Sequence, residues 1–335
     1  MVTPAWSKKL RYRLEWCALL LAAKSIPHFS RENCCQFAEV IGTLGSILDR
    51  RGRRVALSNL EAAFGAEFSA GRRSEIVRES YQVFVRTMFD LMWTPRLNEK
   101  NYRRWIDIEN LDEVLREMGP NGSCIFATFH YGNFEWAAQA VGLAGVPVSI
   151  LAQEFKNPLL DPIFERLREQ AGHELAGRAG AIMKLYKALR RGRHVAILTD
   201  LTLRPEQPSV IVNCLGLKTC VTYAHAWLHK RTGAPIFPGY CEPLPNGRWR
   251  FVMQPKLEIP ENASDAEIAQ LCWDRFEPLV RQNPAPWLWM YKHWRYRPAS
   301  AQRPYPFYAN EGWDFEQLLA TPGKAPVCES RQTSQ

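Results

Sequence analysis

The sequence has no apolar stretch long enough to cross a bilayer. Its amino-terminal apolar stretch runs only from Trp16 to Ala23 and is closed by Lys24 and Pro27, whereas a spanning helix needs about 20 apolar residues. No A-x-A-like cleavage site is evident, which argues against a signal peptide. Basic residues precede the stretch, and a short apolar face with a basic flank is typical of an interfacial helix. A helix of the protein core is the alternative interpretation.

Paired-cysteine motifs are also missing. The nine cysteines include no C-x-x-C pair, so the sequence does not indicate a zinc module of that type. Cys124 and Cys214 lie in apolar runs. That setting is typical of buried free thiols in a reducing compartment rather than of a disulfide framework.

Two histidines have zinc-ligand spacing but lack the rest of a metal site. His225 and His229 are four residues apart, as on one face of a helix. The metalloprotease pattern needs glutamate directly after the first histidine, and Ala226 stands there instead. Because no third ligand is evident, we predict no metal.

Nucleic-acid-binding signatures are absent, although the chain is basic. The net charge is +9 and there are twelve tryptophans, a composition that suits nucleic acid or an anionic membrane surface. No RNP-like pattern, recognition helix or internal repeat is visible. A membrane surface with anionic lipids is therefore the expected partner, with no nucleic acid. The basic run from Arg50 to Arg54, which follows a helical stretch near Glu32 to Leu48, could hold anionic headgroups.

The most informative stretch is a predicted strand, loop and helix around His130. Cys124 to Phe129 is apolar and β-branched enough for one buried strand. Gly132 and Asn133 then break the strand, and asparagine is a good helix N-cap. From Phe134 the pattern becomes helical. This places His130 on a loop after a strand, where open α/β sheets keep their chemistry.

His130 and Glu135 form a candidate acid–base pair. Residues five apart in a continuous helix point about 140° away from each other, so the two can meet only if His130 precedes the helix and Glu135 lies in its first turn. A carboxylate beside a neutral imidazole fixes its tautomer and stabilises the imidazolium. The structural alternatives are a histidine without catalytic function and a glutamate that complements the helix dipole.

The same residues resemble a known family. The stretch His130-Tyr-Gly-Asn-Phe-Glu135 resembles the histidine-x4-acid motif of the lipid A biosynthesis acyltransferases, the lauroyl and myristoyl transferases of the glycerolipid and lysophospholipid acyltransferase superfamily. Four further segments resemble family segments in the same order, and the resemblance covers about residues 10 to 297. These segments are Asn157 to Arg168, Ala188 to Asp200, Thr232 to Pro238 and Pro286 to Trp294.

The resemblance implies a fold and a domain organisation. We expect an α/β fold with a mixed central sheet flanked by helices, glycerolipid acyltransferase-like, with amino-terminal membrane-associating helices. Residues 1–100 would be the helical membrane-associating region and residues 101–298 the acyltransferase core. Residues 299–335 are rich in proline and polar residues and would form a loosely ordered carboxyl-terminal tail.

The resemblance also implies a reaction. A fatty acyl chain would move from an acyl thioester, on acyl-carrier protein or CoA, to a hydroxyl of a lipid A precursor or related glycolipid. His130 would be the general base, assisted by Glu135. A thioester is already activated, so no further cofactor is needed, and the lack of a G-x-S-x-G elbow agrees with direct transfer.

Five further residues are candidates for substrate binding: Asn133, Arg166, Arg168, Asp200 and Arg204. The arginines suit a phosphate or an acidic carrier, and each also fits an ordinary surface position. A predicted strand, His194 to Thr199, ends at Asp200. This position is equivalent to that of His130, which follows the predicted strand Cys124 to Phe129. Family members usually have glutamine after this aspartate, whereas Leu201 follows it here.

Two other functions remain open at this stage. One is an acyltransferase that acts on a glycerolipid or a mannosylated phospholipid. The other is a non-catalytic lipid-binding relative, against which the presence of both His130 and Glu135 argues. The resemblance implies a location at the cytoplasmic face of the bacterial cell inner membrane, as a peripheral or monotopic protein.

Overall fold

The structure is a computed structural model, and it describes residues 5–118, 122–151, 155–177, 180–204, 207–311 and Phe315. Its α-helices are α1 Ala5–Ser25, α2 Arg31–Leu48, α3 Arg50–Phe64, α4 Ala70–Trp93, α5 Leu111–Arg116, α6 Phe134–Leu143, α7 Asp161–Arg168, α8 Ala181–Arg190, α9 Ala224–Thr232 and α10 Asp265–Gln282. Several begin at a serine whose hydroxyl accepts a backbone N–H two or three residues inside the helix. Ser30 caps α2, Ser69 caps α4, and Ser264 forms a full capping box with Glu267 on α10.

The strands are β1 Ile106–Glu109, β2 Ile125–Thr128, β3 Val148–Leu151, β4 Glu174–Ala176, β5 His194–Leu198, β6 Val210–Cys214, β7 Leu217–Val221, β8 Ile236–Pro243, β9 Trp249–Met253, β10 Tyr296–Arg297 and β11 Asn310–Glu311. Seven of them form the central sheet in the order β1-β9-β8-β2-β5-β3-β4. The β8–β9 pair is antiparallel and the other pairs of this sheet are parallel. The predicted α/β fold with a mixed central sheet and flanking helices is confirmed.

Strand β2 lies in the middle of the sheet and separates two apolar cores. Its side chains alternate between the two faces, as in any strand. Ile125 and Ala127 belong to the core that includes α8, α9 and α10. Phe126 belongs to the other core, which includes Trp136 and Ala140 of α6. The near-continuous apolar composition of β2 follows from this burial on both faces.

The neighbours of β2 determine where the candidate site forms. Strand β5 runs parallel beside β2, with Thr128 opposite Leu198. The carboxyl ends of parallel strands meet at the same edge of a sheet, so the loops after β2 and β5 lie side by side. His130 is on the first loop and Asp200 is on the second.

A buried ion pair joins the amino-terminal helices to the core. Asp90 of α4 is fully buried and accepts hydrogen bonds from the guanidinium of Arg31 on α2. Its carboxylate also accepts from Trp249 Nε1 at 2.6 Å and from Asn133 Nδ2 at 2.7 Å. A carboxylate with this many donors is compensated for the loss of water. Asp90 therefore links α2, α4, β9 and the loop that carries His130.

Residues in the first part of the predicted tail form hydrogen bonds with the rest of the protein. Arg303 donates to the backbone oxygens of Leu215 and Ala62, and the Tyr308 hydroxyl binds Asn59. Strands β10 and β11 pair in parallel nearby. Most of the segment beyond residue 311 lies outside the described residues.

The expected amino-terminal helical region is present as α1 to α4. In the described part of the chain, no helix combines the length and apolar character that crossing a membrane requires.

Candidate active site

His130 and Asp200 form a hydrogen-bonded pair at the edge of the sheet. His130 Nδ1 lies 2.7 Å from Asp200 Oδ1, and the backbone N–H of His130 donates to Asp200 Oδ2 at 3.0 Å. The aspartate side chain is fully buried, whereas 12% of the histidine side chain is exposed. A carboxylate at Nδ1 favours the tautomer that carries its proton there, which leaves Nε2 as the proton acceptor of the ring.

Asp200 is held in its ionised form by its neighbours. Burial alone would raise the pKa of its carboxyl group, but the charge and hydrogen bond of His130, with the indole of Trp287, hold that pKa below its usual value. Trp287 Nε1 donates to Asp200 Oδ2 at 2.9 Å. The aspartate is therefore available as an anion to stabilise a protonated His130.

Glu135 has a different partner from the one expected. Both of its carboxylate oxygens accept from Arg168 of α7, at 3.0 Å from Nε and 2.6 Å from Nη2. The sequence predicts a pair of Glu135 and His130, whereas in the structure Asp200 is the carboxylate that binds the histidine ring. The reason is topological, because two parallel neighbouring strands bring residues 130 and 200 together. The bidentate geometry fixes the plane of the Arg168 guanidinium.

The loop between His130 and α6 is clamped by backbone contacts. Gly132 has a positive φ of 59°, and a Cβ atom there would collide with the carbonyl oxygen of Cys241. Its N–H donates to the oxygen of Pro286 at 2.9 Å. Tyr131 pairs with Trp287 in an isolated antiparallel bridge. The segment around Trp287 thus holds both the His130 loop and the Asp200 carboxylate.

Asn133 is part of the framework beneath the site. As expected it caps α6, with its Oδ1 accepting the N–H of Trp136 at 2.9 Å. Its Nδ2 donates to Asp90, and the side chain is fully buried. These contacts support a structural role, in which Asn133 fixes the start of the helix that follows His130.

The three candidate arginines lie in different settings. Arg168 is partly buried against Glu135, and burial would by itself lower its pKa while the neighbouring glutamate raises it. Arg166 is exposed on the same short helix, and Arg204 is exposed on the loop after β5. Of the three, Arg168 is the one that the structure holds in a defined orientation.

Two residues of this region were not found by sequence reasoning. Trp287 lies in the closing tryptophan-rich segment, whose residues were noted only for their resemblance. Asp90 lies in the apolar helical stretch around Met88 and Leu91. A single acidic residue on an otherwise apolar helix face was a usable signal for a buried partner.

The two histidines considered for zinc lie in different environments. His225 is fully buried, and His229 Nδ1 contacts the backbone oxygen of Ala234 at 2.8 Å. The described residues contain no group of three or more His, Cys, Asp or Glu side chains arranged to hold a metal ion.

The chain matches a family model over most of its length. Residues 4–296 match the model described as bacterial lipid A biosynthesis acyltransferase. This range includes His130, Glu135, Arg168, Asp200 and Trp287.

Curated relatives are similar at low identity but over long stretches. The chain is 24% identical to the lipid A biosynthesis myristoyltransferase of Escherichia coli over 312 residues, which is 90% of this chain and 94% of that protein. It is 21% identical to the lipid A biosynthesis palmitoleoyltransferase of Escherichia coli over 79% of this chain and 85% of that protein. A lipid A biosynthesis acyltransferase of Haemophilus influenzae is 22% identical, over 72% and 75%.

Proposed function

Because this chain belongs to the bacterial lipid A biosynthesis acyltransferase family and is an O-acyltransferase, we propose that it transfers a fatty acyl chain from an acyl thioester to a hydroxyl of a lipid A precursor or related glycolipid. The donor is acyl-carrier protein or CoA carrying the acyl group. One observation carries the mechanistic part of the proposal: a buried carboxylate, Asp200, bonded to Nδ1 of a partly exposed His130.

His130 acts as the general base. Its Nε2 takes the proton of the acceptor hydroxyl while the hydroxyl oxygen attacks the thioester carbonyl carbon. The resulting tetrahedral oxyanion collapses, the carbon–sulfur bond breaks, and the thiolate leaves with the proton from the imidazolium. Asp200 stabilises that imidazolium and keeps the ring oriented. The acyl group passes directly from sulfur to the hydroxyl oxygen, so the reaction needs no covalent acyl-enzyme.

Arg168 binds an anionic group of the acceptor or of the donor. Its guanidinium is oriented by Glu135, and an oriented guanidinium is well suited to phosphate. Glu135 therefore serves the site through Arg168 rather than through His130. Arg166 and Arg204 are exposed cations that could contact the same charged substrate. Asn133 positions the His130 loop by capping α6.

The same family membership supports a location. The relatives are bacterial lipid A biosynthesis enzymes by name, and the lipid substrate would be embedded in a bilayer. We place the protein at the cytoplasmic face of the inner membrane, held peripherally or as a monotopic protein. The net charge of +9 favours attraction to anionic lipids.

The test is acyl transfer by the purified full-length protein. Acyl-carrier protein or CoA thioesters are supplied in separate reactions with a lipid A precursor, and the products are identified by mass spectrometry. His130→Ala should lower the rate by about 10²–10⁴-fold, the usual contribution of one general base. The control is His28→Ala, which changes an exposed histidine.

A His130→Ala rate within a few-fold of the native rate would reject His130 as the base. Transfer to glycerolipid or mannosylated phospholipid in preference to the lipid A precursor would reject the proposed acceptor. Lipid mass spectrometry of cells with and without the protein then identifies the acceptor in the cell.

A further inference from the structure

Helix α2 has two faces of opposite character. The face toward α4 consists mostly of small side chains, including the buried Ala38, Gly42 and Ser46. These residues recur every four positions, which places them on one side of the helix. A Cβ atom at Gly42 would meet the backbone of Gln82 on α4. The two helices therefore approach closely through small residues, and the large apolar side chains of α2 are not used in this contact.

Those large side chains form an exposed stripe on the other face. The α2 apolar stripe consists of Phe37, Val40, Ile41, Leu44, Ile47 and Leu48. At 100° per residue they span an arc of about 120°. Leu48 is 75% exposed, and Val40 and Ile47 are each 59% exposed. Phe29 extends the stripe, because its ring meets that of Phe37 at 5.5 Å.

Basic residues follow the stripe. Arg50 and Arg51 begin α3 directly after it, and both are exposed. Helix α1 repeats the combination of exposed apolar residues and exposed cations. Its exposed large apolar residues are Trp6, Leu10, Leu14, Trp16 and Leu21, and the cations among them are Lys8, Lys9, Arg11 and Arg13.

The net charge of the chain indicates which kind of partner covers the α2 apolar stripe. Two copies of a chain with net charge +9 repel each other. An anionic bilayer instead attracts Arg50 and Arg51 while its acyl boundary covers the apolar side chains. A contiguous exposed apolar patch with a basic end fits a lipid surface better than a second copy of this chain.

We propose that the α2 apolar stripe is the surface by which this protein docks on an anionic lipid bilayer, with Arg50 and Arg51 at the headgroups. The proposal rests on the membrane location given above and adds the docking surface to it. The sequence pattern predicts an interfacial helix at Trp16 to Ala23, which lies on α1. Of the large apolar residues in that segment, Trp16 and Leu21 are exposed, whereas α2 exposes the six residues of its stripe and has its opposite face packed against α4.

The experiment is flotation of the full-length protein with vesicles of phosphatidylglycerol and phosphatidylethanolamine. The stripe variant is Ile41→Gln with Leu44→Gln, which removes apolar surface without adding charge. The control is Ala66→Gln with Ala70→Gln, two exposed residues away from the stripe. We expect the stripe variant to lose about tenfold or more in vesicle affinity and the control to match the native protein. Unchanged far-UV dichroism and melting temperature show that each variant is folded.

A second variant tests the basic end. Arg50→Gln with Arg51→Gln should weaken binding to phosphatidylglycerol vesicles and leave binding to phosphatidylcholine vesicles unchanged. Native affinity in the stripe variant overturns the proposal and assigns docking to α1. A native dimer that the stripe substitutions convert to a monomer, measured by light scattering, overturns it in favour of a second copy.

Transfer activity separates this proposal from the proposed function. With acceptor dispersed in detergent, the stripe variant should keep native activity, whereas His130→Ala should lose activity and still float with vesicles. Absence of transfer by the native protein would reject the proposed function and leave the flotation result unaffected.

Discussion

His130 receives its carboxylate from a residue seventy positions later in the chain. The nearer acid, Glu135, uses both oxygens to bind Arg168. The two carboxylates therefore bind different side chains: Asp200 binds the imidazole ring that we propose as the general base, and Glu135 binds a guanidinium. This division makes their substitutions distinguishable in kinetics.

Asp200→Asn should lower kcat by about 10²–10⁴-fold with little change in KM. The amide keeps the size of the side chain but cannot stabilise the imidazolium, and it favours the wrong tautomer of His130. Glu135→Gln should have a smaller effect on kcat and should raise KM through Arg168. Steady-state kinetics of both variants provides the comparison. A larger loss of kcat in Glu135→Gln than in Asp200→Asn would contradict the assignment of Asp200.

Arg168→Lys should raise the KM of the acceptor by about tenfold, the value of one lost charge-assisted hydrogen bond of roughly 1.4 kcal/mol. Lysine keeps the charge but cannot make the bidentate contact with Glu135. Arg275→Lys, at an exposed position of α10 that has no proposed role in binding, is the matched control and should leave both KM values unchanged. A rise in donor KM alone would assign Arg168 to the acyl carrier instead.

At the scale of secondary structure, local patterns predicted the unit around His130. The expected strand is β2, one residue shorter at each end, and Asn133 caps α6 as expected. Periodicity carries this information because strand and helix patterns depend on neighbouring residues. The partner of His130 could not be predicted in the same way. Its identity depends on which strand lies beside β2, and strand order is a property of the whole sheet.

The buried contacts of Asp90 with Arg31, Trp249 and Asn133 should stabilise the attachment of α2 and α4 to the core. Asp90→Leu leaves Arg31 buried without its counter-charge, and loss of one partner of a buried pair typically costs about 3–5 kcal/mol. The double variant Arg31→Met with Asp90→Leu should recover part of that loss. Denaturant unfolding of the two single variants and the double variant measures the coupling.

Additive losses in that cycle would show that the two side chains stabilise the protein independently. Full recovery is not expected, because Asp90 also accepts from Trp249 and Asn133. Asn133→Ala is a useful companion, since it removes one donor and the α6 cap while leaving the ion pair intact.

For the whole molecule, buried neutral histidines predict loss of stability in acid. Burial lowers the pKa of His173, His225 and His293 to about 4 in each case, from an ordinary value of 6.5. As the pH falls from 6.5 towards 4, the unfolded chain binds protons that the native chain does not. The free energy of unfolding therefore falls over this window, by up to roughly 1.4 kcal/mol per pH unit for each histidine.

His225→Leu isolates one of these contributions. His225 is fully buried and neither ring nitrogen has a hydrogen-bond partner in the described structure. The variant should match or exceed native stability at pH 7 and should show a shallower decline between pH 6.5 and 4. Guanidinium titrations at several pH values measure the slope. An unchanged slope would mean that His225 does not titrate with unfolding.

The clamp formed by Pro286 and Trp287 has a consequence for how the protein is made. Chains leave the ribosome amino terminus first, so His130 and Asp200 emerge well before the residues that hold them. A nascent chain released before residue 286 would contain both His130 and Asp200 but would lack the indole N–H that binds Asp200 and the carbonyl that binds the N–H of Gly132. The proposed catalytic pair can therefore be held in place only late in translation, and prematurely terminated products carry His130 and Asp200 without the contacts of Pro286 and Trp287.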